Sequence, residues 1–222
     1  MDPKLPLFLA IGTILMLAPI LWVGREYKQP IWKLLISTVL LTVVGTAGTI
    51  LMARIETGGF GLSYYGAVFL VPIAFAVVAF VLWMPYSKLL DLCVLGECMI
   101  LALMRINCLI SGCCAGRVLC TLNNGAELRF PNQIAELILS LLLMSLLIYW
   151  AFRRPERRGL LYPWYMVLYG SARFVLNFLR EEWALWDPSK RFPMATIWSL
   201  VSVAIGLTWI FLKKRYDRKR SK

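Results

Sequence analysis

Three polar stretches interrupt an otherwise apolar sequence and carry most of the side chains able to do chemistry. The first, RINCLISGCCAGR at 105–117, joins an arginine to three cysteines and two glycines. The second is FPNQIAE at 130–136, and the third is YGSARFVLNFLREE at 169–182. Arginine suits anionic oxygens because its planar guanidinium donates paired hydrogen bonds to them. The stretches therefore predict a site for a phosphate group.

The third stretch has the clearest helical pattern. Its polar side chains follow one another at intervals of four, four and three residues: Tyr169, Arg173, Asn177 and Arg180. On a helix this spacing aligns them on one face and leaves the opposite face to apolar residues. Two guanidinium groups on one stripe favour phosphate binding. The simpler interpretation is structural, with Arg180 reaching the membrane interface and Arg173 forming a salt bridge with Glu136.

The first two stretches predict side chains directed to the same place. Helical spacing puts one acid, one arginine, one cysteine and one glycine on a single side: Glu97, Arg105, Cys108 and Gly112. Gly112 and Gly116 allow a tight turn where this helix ends. In the second stretch Gln133 and Glu136 are three residues apart and share a helix face. We expect these three stretches to contribute to one polar site, together with the glycine-rich segment GGFGLSYYG at 58–66, which carries Tyr64 and Tyr65.

Membrane-spanning helices are the elements that must position these residues. Of the 222 residues 60% are hydrophobic and 16% are charged, and the mean hydropathy is +0.71, which is typical of a membrane protein. Apolar runs long enough to cross a bilayer lie near 5–24, 31–53, 64–84, 88–111, 131–152, 160–179 and 194–212. We predict an all-α integral membrane protein with about seven transmembrane helices. It forms a single polytopic transmembrane domain over residues 1–222, with a first span that is retained rather than cleaved.

The formal net charge of +12 reflects membrane topology. Lysines and arginines are concentrated on alternate loops and in the tail at 213–222, whereas the opposite loops carry fewer of them together with several acids. By the positive-inside rule the N-terminus lies outside and the tail lies in the cytoplasm. We interpret the tail as a topology anchor that contacts anionic membrane lipid, and predict no nucleic-acid partner. The polar site then lies toward the outer, periplasmic half of the membrane.

The six cysteines fit several roles: Cys93, Cys98, Cys108, Cys113, Cys114 and Cys120. Because the chain has no histidine, a Cys-His zinc site and a Cys-His nucleophile pair are excluded. An all-thiolate site needs four converging sulfurs, and this spacing is not a familiar ligand pattern, so no metal site is predicted. Apolar packing is the leading interpretation. A disulfide of Cys108 or Cys114 with Cys120 and a catalytic thiol are the alternatives.

The motifs resemble those of a known family, the bacterial prolipoprotein diacylglyceryl transferases, from about Gly58 to Arg180. RINCLISGCCAGR is similar to the family form R-x-G-N-F-x-N-G-E-x-x-G-R and keeps Arg105, Gly112, Gly116 and Arg117. FPNQIAE is similar to H-P-S-Q-L-Y-E and keeps Pro131, Gln133 and Glu136. YGSARFVLNFLRE resembles Y-G-x-x-R-F-x-x-E-F-x-R and keeps Tyr169, Gly170, Arg173, Phe174, Phe178 and Arg180. LSYYGA resembles S-F-H-G-G, with Tyr65 in the place of the histidine.

The resemblance implies a seven-span enzyme of the bacterial cytoplasmic (inner) membrane. Such an enzyme moves the diacylglyceryl group of phosphatidylglycerol to the lipobox cysteine of a preprolipoprotein, releases glycerol phosphate, and needs no cofactor or metal. The resemblance implies Arg105, Arg173 and Tyr65 as catalytic residues, with the arginines stabilising the leaving phosphate in a water-poor pocket. It implies these substrate-binding residues: Cys108, Cys113, Gly116, Arg117, Gln133, Glu136, Tyr169, Asn177 and Arg180.

The departures from the family pattern bear on mechanism. Tyr65 stands for the family histidine, and an unperturbed tyrosine, with a pKa of about 10, is a poor base at neutral pH. Cys113 and Asn177 stand for two acids, which makes the pocket more positive. Three other functions stay open. They are a lipid-binding or transport protein on the same scaffold, a divergent enzyme with another acceptor, and a thiol-redox membrane enzyme built on the outer cysteines.

Overall fold

A computed structural model describes residues 5–59, 61–114, 116–121, 126–180 and 193–220. Within these ranges the chain forms seven α-helices, a short 3-10 helix and a two-stranded antiparallel sheet. In chain order they are α1 (Leu5–Glu26), α2 (Ile31–Thr57), α3 (Tyr64–Val81), α4 (Tyr86–Ile110), β1 (Val118–Thr121), β2 (Glu127–Arg129), α5 (Asn132–Arg153), the 3-10 helix (Pro155–Arg157), α6 (Leu161–Asn177) and α7 (Met194–Arg220). The predicted all-α membrane fold is confirmed, and every predicted span coincides with one helix.

Five of the helices in the described ranges are long and apolar enough to cross a membrane: α1, α2, α3, α5 and α7. Large apolar side chains such as Ile73 and Phe80 lie exposed on the bundle surface, as a lipid-facing surface requires. The remaining helices, α4 and α6, carry more polar residues. α4 contacts α1, α2, α3, α5 and α6, so its charged side chains are surrounded by protein instead of lipid.

Two buried acids of α4 fix the position of α6. The carboxylate of Asp91 accepts hydrogen bonds from the Tyr27 hydroxyl and from the backbone N–H of Leu161, both at 2.9 Å. Leu161 is the first residue of α6, so Asp91 caps the free N–H groups of that helix from a neighbouring element. About one and a half turns further along α4, Glu97 accepts a 2.8 Å hydrogen bond from the Tyr162 hydroxyl. These bonds set the register in which α6 presents its polar face.

α2 and α3 pack at backbone contact through a pair of glycines. A Cβ atom on Gly66 of α3 would collide with the carbonyl group of Gly48 on α2. Small residues permit this close approach, which compensates for the absence of a hydrophobic driving force between helices in lipid. The contact holds the start of α3, and with it Tyr64 and Tyr65, against α2.

Candidate functional site

The buried carboxylate of Glu136 on α5 brings the arginines of the site together. Its Oε2 lies 2.7 Å from Nε of Arg105 on α4, and its Oε1 pairs with Arg173 on α6. Nη1 of Arg180 is 3.9 Å from the same Oε1, and Asn132 donates a 2.8 Å hydrogen bond to it. One carboxylate cannot neutralise three guanidinium groups. The remaining positive charge is therefore compensated by other groups or by a bound anion.

Arg105 and Arg173 differ in their access to the interior space of the bundle. Arg105 lines the cavity described below and keeps 11% of its side chain exposed. Arg173 is outside the described lining of that cavity. The Arg173–Glu136 salt bridge that the sequence offered as a structural alternative is formed. Of these two arginines, Arg105 is thus the one that lines the cavity, and Glu136 links it to Arg173.

A cavity of about 570 Å³ lies between α1, α2, α4 and the start of α3. Most of its wall is apolar and includes Leu9, Met16, Leu41, Ile50, Ile100 and Leu101. The polar residues of the wall include Glu97, Arg105, Asn107, Cys108, Cys113 and Cys114. Its volume falls within the range of about 300–1,000 Å³ found for small-ligand sites. An apolar cavity with a cationic group at its polar end suits an amphiphilic anion.

A turn at the end of α4 folds Cys113 back toward Cys108. Gly112 has a left-handed backbone with a φ of 65°. Its N–H donates to the carbonyl of Leu109 at 3.4 Å, and the N–H of Cys113 donates to the carbonyl of Cys108 at 3.1 Å. These two bonds form the Schellman motif that ends many helices. Cys114 is also left-handed, with a φ of 60°, which is uncommon for a residue with a side chain.

The turn places three thiols side by side. The Sγ atoms of Cys108, Cys113 and Cys114 all lie within 4.8 Å of one another. Nη1 of Arg105 is 3.9 Å from Sγ of Cys108. Hydrogen bonding with the Cys108 thiol, helped by the charges of Arg105 and Arg180, lowers the pKa of Cys114 to about 5, whereas burial raises the pKa of Cys113. The cluster is therefore suited to carry one negative charge, on the sulfur of Cys114.

All six cysteines are free thiols. The disulfide considered between Cys108 or Cys114 and Cys120 is not formed, and Cys120 lies exposed on β1. Cys93 and Cys98 are buried within α4, the packing role expected of membrane cysteines. The outer cysteines thus separate into a three-thiol cluster, in which Cys113 and Cys114 are themselves exposed, and a separate exposed thiol at Cys120.

Gly116 and Arg117 attach the loop that follows the cluster to the rest of the site. The N–H of Gly116 donates to the Phe130 carbonyl at 3.1 Å, and the N–H of Arg117 donates to the Leu179 carbonyl at 2.9 Å. Gly116 also pairs with Arg180 in an isolated antiparallel bridge. A Cβ on Gly116 would collide with the Phe130 carbonyl, so only glycine fits there. Both residues act through the backbone, and neither belongs to the described cavity lining.

Gln133 fixes the cysteine turn from α5. Its Nε2 donates a 2.6 Å hydrogen bond to the carbonyl of Cys113. Gln133 and Glu136 do share a buried face of α5, as their spacing predicts. The two side chains have different partners, since Gln133 holds the turn and Glu136 holds the arginines.

Tyr65 links α3 to α7. Its hydroxyl is 2.7 Å from Oγ of Ser199, and Nδ2 of Asn177 donates a 3.2 Å hydrogen bond to the same Oγ. Both side chains lie outside the described cavity lining. The neighbouring Tyr64 does line the cavity, and its hydroxyl is 2.6 Å from that of Tyr165. Of the two tyrosines in this motif, Tyr64 is the one placed to contact a cavity ligand.

The polar stripe of α6 forms the buried face of that helix, as its spacing predicts. Tyr169, Arg173 and Asn177 are buried, whereas Val175 and Phe178 on the opposite face are exposed. The ring of Tyr169 stacks on Tyr165 with 5.4 Å between centroids. The Tyr169 hydroxyl is buried without a hydrogen-bond partner among the described residues. A ligand or water reaching this position would therefore find an available hydroxyl.

Several residues of the site were not singled out from the sequence: Asn107, Asn132 and Ser199. Asn107 and Asn132 lie inside two of the polar stretches, where their side chains were a readable signal. The sequence gives no signal for Ser199, because serine is frequent in membrane helices. Only the packing of α6 on α7 brings Ser199 to Tyr65 and Asn177.

Comparison with known proteins gives a consistent match. A family model described as prolipoprotein diacylglyceryl transferase matches residues 7–212. Three curated relatives carry the name phosphatidylglycerol–prolipoprotein diacylglyceryl transferase. The protein of Clostridium tetani is 29% identical over 135 residues, 56% of this chain and 52% of the relative. That of Chromohalobacter salexigens is 31% identical over 91 residues, 40% of this chain and 33% of the relative.

The third relative, from Helicobacter pylori, is 37% identical over 57 residues, 26% of this chain and 20% of the relative. The chain therefore spans about half the length of the first relative, and smaller shares of the other two.

Proposed function

Because this chain belongs to the prolipoprotein diacylglyceryl transferase family, we propose that it transfers the diacylglyceryl group of phosphatidylglycerol to the lipobox cysteine of a preprolipoprotein. The observation that carries this proposal is the position of Arg105. Its side chain lines the polar end of an apolar cavity and is held there by Glu136. A phospholipid matches this cavity, because its acyl chains suit the apolar wall and its phosphate suits the arginine at the polar end.

Arg105 binds the phosphate of the donor lipid and stabilises it as it leaves with glycerol. Negative charge increases on this phosphate as its bond to the glyceryl carbon breaks, so a guanidinium in a site of low dielectric stabilises the transition state more than the ground state. Glu136 and Arg173 are positioning residues that hold Arg105 from behind. Tyr64 and Tyr169 border the same region and supply hydroxyl groups for orienting the headgroup.

The loop residues support this arrangement from the other side. Gly116 and Arg117 anchor the loop after the cysteine turn through backbone hydrogen bonds, and the side chain of Gln133 donates a hydrogen bond to the turn itself. Tyr65 and Asn177 meet at Ser199 and keep α3 against α7. We assign these five residues to positioning the pocket. Arg180 extends the positive cluster around Glu136, and Cys108 and Cys113 contact the ligand at the cavity wall.

The protein works in the bacterial inner membrane as a multi-pass protein, with its site toward the periplasmic half. The family and the apolar helices support a multi-pass membrane protein. The periplasmic orientation follows from the distribution of lysine and arginine between loops.

The direct test incubates the purified full chain with isotope-labelled phosphatidylglycerol and a lipobox peptide, followed by mass spectrometry. We expect a peptide whose mass increases by one diacylglyceryl group, together with free glycerol phosphate. A peptide of unchanged mass after prolonged incubation, with a bona fide family enzyme active in parallel, would refute the proposal.

One observation favours a second function, a lipid carrier that binds phosphatidylglycerol without transferring it. Tyr65 stands for the family histidine. Its hydroxyl is hydrogen-bonded to Ser199, and its side chain lies outside the described cavity lining. A chain without a general base near the acceptor thiol would still bind the headgroup through Arg105. Saturable binding of labelled lipid, combined with an unmodified peptide in the same incubation, identifies the carrier.

A further inference from the structure

The three-thiol cluster at the end of α4 has the composition of a metal site. The Sγ atoms of Cys108, Cys113 and Cys114 lie within 4.8 Å of one another. Zinc binds thiolate sulfur at about 2.3 Å in a tetrahedral arrangement, so sulfurs sharing one ion are roughly 3.8 Å apart. The sulfurs are therefore within about 1 Å of the separation that a shared zinc ion requires. Thiolate sulfur is also the ligand that selects zinc over hard cations such as magnesium and calcium.

The backbone around the cluster holds the cysteines in place. The Schellman bonds fix Cys113 over Cys108, and Gln133 holds the Cys113 carbonyl from α5. Cys114 keeps a left-handed backbone that a residue with a Cβ seldom adopts. Such strain persists where the surroundings over-determine it, and it is concentrated at ligand clamps and active sites.

The charge around the cluster suits a zinc ion with three thiolates. Three thiolates and one zinc ion leave one net negative charge. Nη1 of Arg105 is 3.9 Å from Sγ of Cys108 and supplies a positive charge beside it. An opposite charge at this distance stabilises the net negative charge of the cluster.

The cluster offers three ligands and leaves the fourth position to another molecule. Among the described residues, the group of acids and cysteines close enough to share one ion consists of these three side chains. Catalytic zinc sites are built in this way, with three protein ligands and one position for water or substrate. All three cysteines line the cavity that contains Arg105.

We propose that Cys108, Cys113 and Cys114 bind a zinc ion whose fourth position takes the acceptor thiol, an inference that rests on the proposed transferase function. The acceptor thiol loses its proton to water when its sulfur binds zinc, because a coordinated thiol is deprotonated. The bound sulfur then attacks the glyceryl carbon that carries the phosphate. A carbon–sulfur bond forms, the carbon–oxygen bond breaks, and its electron pair leaves on glycerol phosphate. The thioether product is neutral at sulfur, so it is a weak ligand and dissociates.

This arrangement supplies what the chain otherwise lacks for thiol chemistry. The chain has no histidine, and the Tyr65 hydroxyl is bonded to Ser199. A zinc ion stabilises the acceptor thiolate directly and makes a separate general base unnecessary.

Zinc stoichiometry tests the site itself. The full chain is purified in detergent with a reductant, stripped with a chelator, dialysed against zinc and analysed for metal. We expect one zinc per chain, and an affinity lowered by at least about 100-fold in Cys113→Ser, since even the loss of a group that only supports a ligand costs up to about 100-fold. Cys120→Ser, which changes an exposed cysteine outside the cluster, is the matched control and should bind zinc normally. A wild-type chain that retains no zinc overturns the site.

Cobalt(II) keeps the test valid if a serine variant fails to fold. Cobalt replaces zinc in thiolate sites, and its charge-transfer absorption reports sulfur ligands in the unmodified chain. Absorption characteristic of three thiolates supports the site. Absorption without a sulfur contribution overturns it.

Transfer assays separate the role of zinc from the proposed function. We expect the stripped chain to lose at least about 100-fold in rate, within the range that acid–base assistance contributes, and to recover it when zinc is returned. A stripped chain that works at the full rate overturns the role of zinc and leaves the transferase function standing. Absence of product from stripped and zinc-loaded chains alike overturns the transferase function and the acceptor role, while zinc stoichiometry still decides whether the three cysteines bind the ion.

Discussion

Arg105 of α4 and Glu136 of α5 form a buried ion pair, with 2.7 Å between Nε and Oε2. The carboxylate is fully buried and Arg173 pairs with its other oxygen. Glu136 thus acts as the shared counter-ion through which two helices present arginines to one place. The main role of Glu136 is to bring the two arginines together, because a buried ion pair by itself contributes little net stability.

Replacing Glu136 with glutamine should destabilise the protein strongly. The substitution keeps the shape of the side chain and removes the charge that the guanidinium groups of Arg105 and Arg173 require. Removing one partner of a buried pair typically costs about 3–5 kcal/mol. Thermal unfolding in detergent measures the effect. Glu127→Gln, which alters an exposed pair with Arg129, is the control and should cost no more than about 1 kcal/mol.

Arg105→Ala should impair transfer more than folding. Glu136 keeps Arg173 as a partner in this variant, so the folded yield is largely retained. The phosphate of the leaving group loses its guanidinium, and removing one such donor typically lowers kcat by about 100- to 1,000-fold. Steady-state kinetics with labelled phosphatidylglycerol measure the loss. Arg129→Ala in the β1–β2 hairpin is the control, and comparable rates for both variants would contradict the role assigned to Arg105.

Filling the cavity should exclude the lipid. Thr46 on α2 lines the cavity, whereas the adjacent Ala47 is exposed on the bundle surface. Thr46→Phe therefore places a ring in the proposed acyl-chain space, and Ala47→Phe adds the same ring outside it. A steric penalty of about 1–3 kcal/mol corresponds to roughly 5- to 150-fold weaker lipid binding. Equal binding by the two variants would show that the lipid lies elsewhere.

The sequence predicted the helices well because their limits depend on local properties. Runs of apolar residues are bounded by charges, glycines and prolines, and α1 to α7 follow those boundaries. The buried face of α6 was also readable, since Arg173 and Asn177 occur at helical spacing. The fold could thus be anticipated wherever neighbours along the chain decide the structure.

The arrangement of the site depended on packing that the sequence does not encode locally. The sequence identified Arg105 and Arg173 and offered the Arg173–Glu136 salt bridge as one alternative, but it did not indicate that Arg105 lines the cavity while Arg173 does not. The cavity between α1, α2, α4 and the start of α3 was not predicted, because residues facing lipid and residues facing an apolar cavity have the same composition. The meeting of Cys108 with Cys113 and Cys114 depends on a chain reversal at Gly112, after helical periodicity has ended.

Gly112→Ala should loosen this reversal. A left-handed backbone costs a residue with a Cβ about 1–2 kcal/mol more than glycine, and Gly112 has a φ of 65°. We expect a lower melting temperature and a disturbed cysteine cluster, seen as faster alkylation of the thiols. Gly59→Ala is the matched control, because its new Cβ meets nothing closer than Thr57 Oγ1 at 3.7 Å. If both variants melt like the wild type, the turn is not under this constraint.

Cys120 offers a direct test of membrane orientation. It is exposed on β1, in the same loop that carries the cysteine turn, and the distribution of basic residues predicts that this loop lies outside the cytoplasmic membrane. A thiol reagent that cannot cross membranes should therefore label Cys120 in intact spheroplasts, and Cys120→Ser should reduce the labelling. Tyr216→Cys near the end of α7, where the native tyrosine is exposed, places a thiol on the predicted cytoplasmic side. This thiol should react only after the membrane is opened. The reverse order of labelling would place the site on the cytoplasmic side, where an acceptor lipobox already moved across the membrane could not reach Arg105.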